Sequence, residues 1–184
     1  TPQTPYEIPL RLVGSEMCIR DSYEGGHREP FLARWPGRIE PGTISDQIIS
    51  ITDIFATCVS LIGKSLPENA GEDSVSFLKC LYGQQKGPFR EASVQQSGKK
   101  ALAIRKGKWK LIVHGDNKRE LFDLNADIGE KHNAIQAHPR VAEELALLLQ
   151  SYLDKGRSTP GKAQPLEYKI SLEEVRYKKK WILG

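Results

Sequence analysis

The stretch from Tyr23 to Gly37 constrains the fold of this chain more than any other part of its sequence. It has the sequence YEGGHREPFLARWPG, in which two glycines, free to adopt dihedrals closed to other residues, precede charged residues. Pro30 then begins a short apolar run that ends at Trp35-Pro36-Gly37. This order predicts a polar loop followed by a strand. Because sites in open α/β sheets lie at the ends of strands, we expect the loop to border a functional site.

Residues 1–22 differ from the rest of the chain, because their apolar residues have neither the period of a strand nor that of a helix. Residues 10–22 resemble a translated sequencing adaptor. We therefore interpret 1–22 as a non-native segment and exclude it from the fold prediction. A segment specific to this protein's lineage is the alternative.

A helix is predicted over about Thr52 to Ile62, where apolar residues recur at helical intervals and Gly63 follows as a natural terminator. Ser50 and Asp53 have the spacing of a capping box variant, so Asp53 is interpreted as a cap residue rather than a ligand. We expect the apolar face of this helix to be buried, with Cys58 as a small core residue.

Four short strands are predicted after a change of pattern at residues 86–90. They cover 93–96, 101–105, 108–113 and 120–124, and turn residues separate them. Strands this close in sequence pair as an antiparallel meander. Because Lys108 and Lys110 alternate with Trp109 and Leu111, one face of the sheet is predicted to be wet and the other buried.

A second helix is predicted from Pro139 to Lys155, before Gly156. Its core-facing stripe comprises Val141, Leu145, Leu148, Leu149 and Tyr152. This helix is expected to cover the sheet. The tail after it carries a possible short helix near 172–177.

Charge and hydropathy exclude two classes of partner. The formal net charge, 27 − 23 = +4, is too small and too dispersed to predict nucleic-acid binding. No run approaches the roughly 18 apolar residues of a membrane span. The basic ending Lys178-Lys179-Lys180-Trp181 could contact a membrane or a polyanion, but we interpret it as a solvated tail anchored by tryptophan. The three cysteines have no metal-ligand spacing.

Three stretches resemble the sulfatases, the formylglycine-dependent sulfuric ester hydrolases. Residues 23–37 resemble the family signature E-G-G-x-R-x-P-x-(aliphatic)-x-x-W-P-G. Residues 103–112 resemble A-I-R-x-G-x-W-K-L-I, and residues 120–133 resemble E-L-(F/Y)-D-L-x-x-D-x-G-E-x-x-N. The predicted helix at residues 52–62 is similar to the T-D-(aliphatic) helix that comes after the signature in this family.

The resemblance implies an α/β fold. It would be the C-terminal portion of an alkaline-phosphatase-like sulfatase domain, followed by a small α+β subdomain with a four-stranded antiparallel sheet and a covering helix. The implied divisions are an atypical segment at 1–22, the end of the catalytic domain at 23–88, the sheet-plus-helix subdomain at 89–160 and a tail at 161–184.

The resemblance also implies that a full-length parent hydrolyses sulfate esters, including those of sulfated carbohydrates, with formylglycine and calcium. The C/S-x-P-x-R motif that supplies formylglycine is absent from this sequence, as are the family's Asp-Asn pair and lysine before E-G-G. The chain itself is therefore expected to bind no calcium and to be inactive. A non-catalytic module that binds sulfated glycans is the alternative. Family members are often exported; localisation, oligomeric state and the particular ester stay open.

Four residues are candidates for the rim of a substrate site. His27 and Arg28 come directly after the paired glycines, and Gln95 and Gln96 stand where many relatives carry a His pair. The glutamines could donate hydrogen bonds but would transfer protons poorly. Arg28 is expected to pair with Glu24 or a backbone carbonyl; a sulfate-ligand role is the alternative.

The remaining polar residues are interpreted as structural. Asp127 and Glu130 suggest calcium but lack an EF-hand loop, so turn and cap roles are favoured. The Glu72-Asp73 pair is interpreted as part of a solvated loop. His114, His132 and His138 are expected at the surface or in turns.

Overall fold

The computed structural model describes residues 22–97, 101–116, 118–165 and 172. Three short helices precede the sheet and one long helix comes after it. The elements are α1 (Glu24–His27), α2 (Asp53–Leu61), α3 (Leu78–Leu81), β1 (Ser93–Gln96), β2 (Leu102–Lys106), β3 (Trp109–Val113), β4 (Arg119–Asp123) and α4 (Pro139–Lys155). The predicted adaptor-like segment lies outside the described residues apart from Ser22, and so does the tail helix apart from Leu172.

The four strands form one antiparallel sheet in the order β1-β2-β3-β4, which confirms the predicted meander. The observed strands start and end within one residue of the predicted limits. The β2–β3 turn depends on Gly107, because Lys106 pairs with Trp109 and leaves two residues in the loop. Gly107 has a φ of 59°, which fits the first position of a type II′ turn and favours glycine there.

Helix α4 covers one side of the sheet, which we call the helix face. The helix begins at Pro139 and ends at Lys155, and the next residue, Gly156, has a φ of 64° in the left-handed region. Its buried residues are Ala142, Leu145, Ala146 and Leu149. They pack with sheet residues that include Ile104, Leu111, Val113 and Leu121. The prediction of a covering helix is confirmed, with two alanines at the centre of its contact stripe.

The opposite side of the sheet, which we call the loop face, is also covered, so the prediction of a wet face is wrong. Ala103, Ile112 and Phe122 form a second buried cluster there, against which Tyr23 packs. The ring centroids of Tyr23 and Phe122 lie 6.0 Å apart. Lys110, assigned to the wet face by strand alternation, has no exposed surface. It can be buried because two carboxylates, Glu24 and Glu130, lie beside it.

Helix α2 begins where the sequence predicts, and Asp53 is its anchor. The Asp53 side chain is fully buried. Its carboxylate accepts hydrogen bonds from the Ser50 N–H at 2.7 Å, the Val75 N–H at 2.9 Å and Nη1 of Arg90 at 3.1 Å. The bond from Ser50 is the carboxylate half of a capping box. Asp53 therefore has the structural role predicted for it.

The expected burial of the α2 apolar face is wrong. Ile54 is 42% and Phe55 51% exposed, and Cys58 is exposed rather than part of a core. The buried residues of this helix are Asp53, Ala56 and Thr57. Among the described residues, no second layer lies over the apolar face, so its side chains meet solvent.

The strand predicted to begin at Pro30 is also absent, because residues 28–35 belong to no helix or strand. Leu32 is 94% exposed. A strand forms when a neighbouring strand pairs with its backbone groups, and the described sheet begins only at Ser93. Among the described residues, no helix is long and apolar enough to cross a membrane.

Replacing Asp53 with alanine should destabilise the fold. The Arg90 side chain is only 6% exposed and would lose its counter-charge, so we expect the free energy of unfolding to fall by about 3–5 kcal/mol. Urea denaturation of the 184-residue chain measures this. The control is Glu68→Ala, because Glu68 pairs with Lys162 at the surface and should contribute about 0–1 kcal/mol. Equal losses in the two variants would contradict the anchoring role.

Candidate functional site

The paired glycines lie in a single helical turn, where the sequence predicted a loop. The Arg28 N–H donates to the Glu24 carbonyl at 2.8 Å, and the Gly26 N–H donates to the Tyr23 carbonyl at 2.9 Å. These bonds close helix α1. As a result, the backbone position of Arg28 is tied to that of Glu24.

Glu24 is held by three residues from the sheet and the loop after it. Its carboxylate lies 3.1 Å from Nη1 of Arg105 on β2 and 3.1 Å from Nζ of Lys110 on β3. Its backbone N–H donates to Oε2 of Glu130. Both the main chain and the side chain of Glu24 are thus fixed to the C-terminal part of the chain.

Lys110 joins the two carboxylates in the interior. Its Nζ atom lies 2.9 Å from Oε1 of Glu130, and its side chain is 1% exposed. We call Glu24, Arg105, Lys110 and Glu130 the ionic clamp. Its two cations balance its two carboxylates, which is the arrangement in which charges tolerate burial.

The sequence did not reveal this clamp. Strand alternation correctly places Arg105 and Lys110 on the same face, since they are paired across β2 and β3. Glu24 and Lys110 are 86 residues apart, however, and a single sequence contains no signal of so distant a contact. The sequence did mark Glu130 as a residue of interest, because it lies in the stretch at residues 120–133 that resembles a sulfatase motif.

A second polar network lies on the loop face. Glu120 accepts a hydrogen bond from the Tyr23 hydroxyl at 2.7 Å, lies 2.7 Å from Nε2 of His114 and pairs with Lys118 at 3.0 Å. Burial alone would raise the pKa of Glu120, but the hydrogen bonds from Tyr23, Lys118 and His114 outweigh it and lower the pKa. Burial, with the Glu120 carboxylate, raises the pKa of Tyr23 to about 12. His114 is therefore part of a network rather than a simple surface histidine.

Arg28 does not pair with Glu24, so that prediction is wrong. Both carboxylate oxygens of Glu24 are already occupied by Arg105 and Lys110. The Arg28 side chain is exposed and makes no hydrogen bond or ion pair with the described residues. His27, its neighbour, is half-buried.

The two glutamines lie on opposite faces of the sheet. Gln95 is paired with Ala103 on the loop face, and its Nε2 atom donates to Oγ of Ser93 at 3.0 Å. Gln96 is paired with Leu102, whose side chain belongs to the helix face, and Gln96 is exposed. Gln95 therefore shares a face with the ionic clamp, and Gln96 does not.

The carboxylates that suggested a cation have structural partners. Oδ2 of Asp127 accepts the N–H groups of Lys131 and His132, both at 2.8 Å, which is a turn role. Asp73 accepts the Ser158 N–H at 2.9 Å. Across the described ranges, no group of three or more His, Cys, Asp or Glu side chains could hold a metal ion. Among the described residues, the acidic side chains are therefore not grouped as a calcium site built from carboxylates would need.

Comparison with known proteins decides the family. Residues 19–158, more than half of the chain, match the family model described as N-sulphoglucosamine sulphohydrolase, C-terminal. The chain belongs to the sulfatase family. The region matched includes helix α1, the sheet and helix α4, and therefore both ends of the ionic clamp.

Individual sulfatases agree with this assignment. The N-acetylgalactosamine-6-O-sulfatase of Bacteroides thetaiotaomicron is 38% identical over 145 residues, which are 71% of this chain and 28% of the relative. A solved structure from work on glycosaminoglycan metabolism in that organism superposes with a TM-score of 0.63 at 37% identity, covering 71% of this chain and 30% of the other. The α/β fold predicted by resemblance is thereby confirmed.

A second solved structure was determined in complex with its substrate, D-glucosamine-2-N,6-O-disulfate. It has a TM-score of 0.56 and 25% identity, and the match covers 64% of this chain and 26% of that one. The present sulfatase chain thus spans less than a third of the length of these relatives.

Replacing Lys110 with methionine should be among the most damaging changes in the sheet. The buried carboxylates of Glu24 and Glu130 would lose their shared cation, at a cost of about 3–5 kcal/mol in the free energy of unfolding. Urea denaturation again measures the loss. The matched control is Lys108→Met, because Lys108 is 45% exposed and pairs with Asp123 at the surface. A Lys110 variant as stable as the control would show that the clamp contributes nothing.

Ionisation of the Tyr23 hydroxyl should lower the free energy of unfolding at alkaline pH. Its pKa is raised from 10.0 to about 12 in the folded chain, so its contribution is complete below pH 10 and is lost as pH rises through about 12. We expect Tyr23→Phe to lower the free energy of unfolding by about 1–2 kcal/mol at about pH 9. The difference in free energy of unfolding between this variant and the parent chain should shrink toward about pH 11.5, because the parent loses the contribution of the Tyr23 hydroxyl.

The matched control for this experiment is Tyr82→Phe. The Tyr82 ring packs near Trp35 at a centroid distance of 6.4 Å, and its hydroxyl bonds to no described residue. Urea unfolding over the same alkaline range separates the variants. A Tyr23→Phe curve that runs parallel to the parent curve would refute the role of the hydroxyl.

Proposed function

We propose that this chain is the C-terminal part of a sulfatase whose complete form hydrolyses sulfate esters of amino sugars. Formylglycine and calcium would supply the bond-breaking chemistry from residues other than those described here. This chain would supply part of the substrate-binding rim and would not hydrolyse esters alone. The observation that carries the proposal is the family signature itself, clamped to the sheet with the Arg28 guanidinium exposed.

Arg28 is the best-suited sulfate ligand of the four candidates. A guanidinium presents donors in a planar fork that matches the oxygens of a tetrahedral oxyanion. Because Arg28 has no partner among the described residues, binding sulfate would break no ion pair with any of them. Gln95, which shares a sheet face with the clamp residues, and His27, the neighbour of Arg28, could add hydrogen bonds. Gln96 would contact the substrate less directly, since it lies on the other face.

The surroundings of Gly25 support an open site. A Cβ atom added to Gly25 would meet no described atom within 4 Å, and its φ is not in the left-handed region. Among the described residues, neither packing nor backbone strain therefore requires glycine there. A ligand or another part of the parent protein that approaches the backbone closely would explain it.

The names of the relatives support the substrate class. One is an N-acetylgalactosamine-6-O-sulfatase, and one solved structure holds a glucosamine sulfated at N2 and O6. Both sugars are hexosamines with a 6-O-sulfate group. We therefore propose a 6-O-sulfated hexosamine as the substrate of the parent enzyme.

A chimera tests the proposal. The matching region of the Bacteroides thetaiotaomicron sulfatase is replaced with that of the present chain, and sulfate release from N-acetylgalactosamine 6-sulfate is measured. We expect an active chimera. Arg28→Ala should raise KM about tenfold, as expected for the loss of one charge-assisted contact, whereas the surface variant Lys108→Met should leave KM unchanged.

Two results would contradict the proposal. A folded chimera without sulfatase activity would show that this chain does not complete a sulfatase. An unchanged KM in Arg28→Ala would exclude Arg28 from the site. Binding of the 184-residue chain to immobilised chondroitin sulfate, together with an inactive chimera, would instead favour the non-catalytic glycan-binding module.

A further inference from the structure

Glu24 pairs with Arg105 and Lys110 rather than with Arg28, and this choice of partners indicates a role for the ionic clamp. Glu24 and Arg28 are four residues apart on one helical turn, the spacing at which opposite charges attract. They do not pair, because Arg105 and Lys110 occupy the carboxylate of Glu24. The clamp thus removes Glu24 as a partner for the Arg28 guanidinium.

We propose that Arg105 and Lys110 are positioning residues that keep Arg28 available for the sulfate group by occupying Glu24. The inference rests on the function proposed above. Arg105 and Lys110 need not touch the substrate; they act through Glu24.

The balance of charge supports this role. The clamp has two cations and two carboxylates, so it presents no net charge to the loop. If Arg105 were neutral, the ionic clamp would carry a net negative charge, and one of its carboxylates, Glu24, is only four residues from Arg28 in the sequence. That charge would repel a sulfate ester and would draw the guanidinium into an intramolecular pair.

The backbone geometry supports it as well. Glu130 accepts the Glu24 N–H, and the Glu24 carbonyl accepts the Arg28 N–H. Because Glu130 also pairs with Lys110 on β3, these contacts fix the start of the Arg28 side chain relative to that strand. Residues 28–35, by contrast, belong to no regular element that could hold Arg28 from the other side.

Arg105 is the better of the two positioning residues to test. Its side chain is 25% exposed, whereas that of Lys110 is 1% exposed, so Arg105→Gln should leave the chain folded. The matched control is Lys106→Gln, because Lys106 is the next residue of β2 and pairs with Glu91 at 3.0 Å on the surface. Both are made in the active chimera, and KM and kcat for N-acetylgalactosamine 6-sulfate are measured.

We expect Arg105→Gln to raise KM about three- to tenfold and to change kcat less than about twofold, since binding rather than chemistry is affected. Lys106→Gln should leave both constants unchanged. Arg105→Lys should restore most of the affinity, because the ammonium can still occupy Glu24. An unchanged KM in Arg105→Gln would overturn the proposal.

Two double variants separate positioning from a general structural effect. In an Arg28→Ala background, Arg105→Gln should raise KM no further, because both changes act on the same contact. Adding Glu24→Gln to Arg105→Gln should lower KM again, because a neutral amide does not capture Arg28. Additive losses in the first case, or a further loss in the second, would mean that Arg105 has only a structural role.

The outcome also distinguishes this inference from the proposed function. If Arg28→Ala has no effect on KM, the proposed substrate contact fails, and with it the basis for positioning. If Arg28→Ala raises KM but Arg105→Gln does not, the substrate contact stands and the positioning role is refuted.

Discussion

Burial of the Lys110 ammonium between two carboxylates is the interaction on which the rest of this structure depends. An unpaired charge in the interior costs far more than a small domain can tolerate, so Lys110 requires Glu24 and Glu130 on the loop face. Those carboxylates come from distant parts of the described chain. The ion pair of Lys110 with Glu24 therefore joins the signature stretch at residues 23–37 to the sheet.

Different kinds of interaction cover the two faces of the sheet. Apolar side chains of helix α4 cover the helix face, and this packing depends on area and shape rather than on particular partners. The loop face combines a small aromatic contact with directed ion pairs and hydrogen bonds. Directed contacts fix orientation, which a binding loop needs and a covering helix does not.

The difference explains what could be predicted from the sequence. The strands and the contact stripe of α4 result from local periodicity, and the predicted limits of the strands lie within one residue of the observed ones. The burial of Lys110 and the partners of Glu24 depend on distant contacts, which alternation alone cannot identify. The expected strand after Pro30 and the burial of Cys58 failed for a related reason: each requires a neighbouring surface, and the described residues provide none. Alternation correctly places Gln95 on the face of the sheet that carries Arg105 and Lys110, but it could not identify the residues that hold Glu24.

The wide separation of Glu24 from its partners also affects the order of folding. The sheet is built from contacts between neighbouring strands, whereas the contact of Glu24 with Lys110 closes 86 residues and that with Glu130 closes 106. Because closing a long loop costs more entropy than pairing neighbouring strands, we expect the loop to dock onto a sheet that has already formed. Helix α1 is held to the sheet by the clamp and by the contacts of Tyr23, and if these open together, Lys110 meets water while the strands stay paired. Amide exchange at Arg28 should therefore be faster than in β3, and the binding loop would be the last part of the molecule to become ordered.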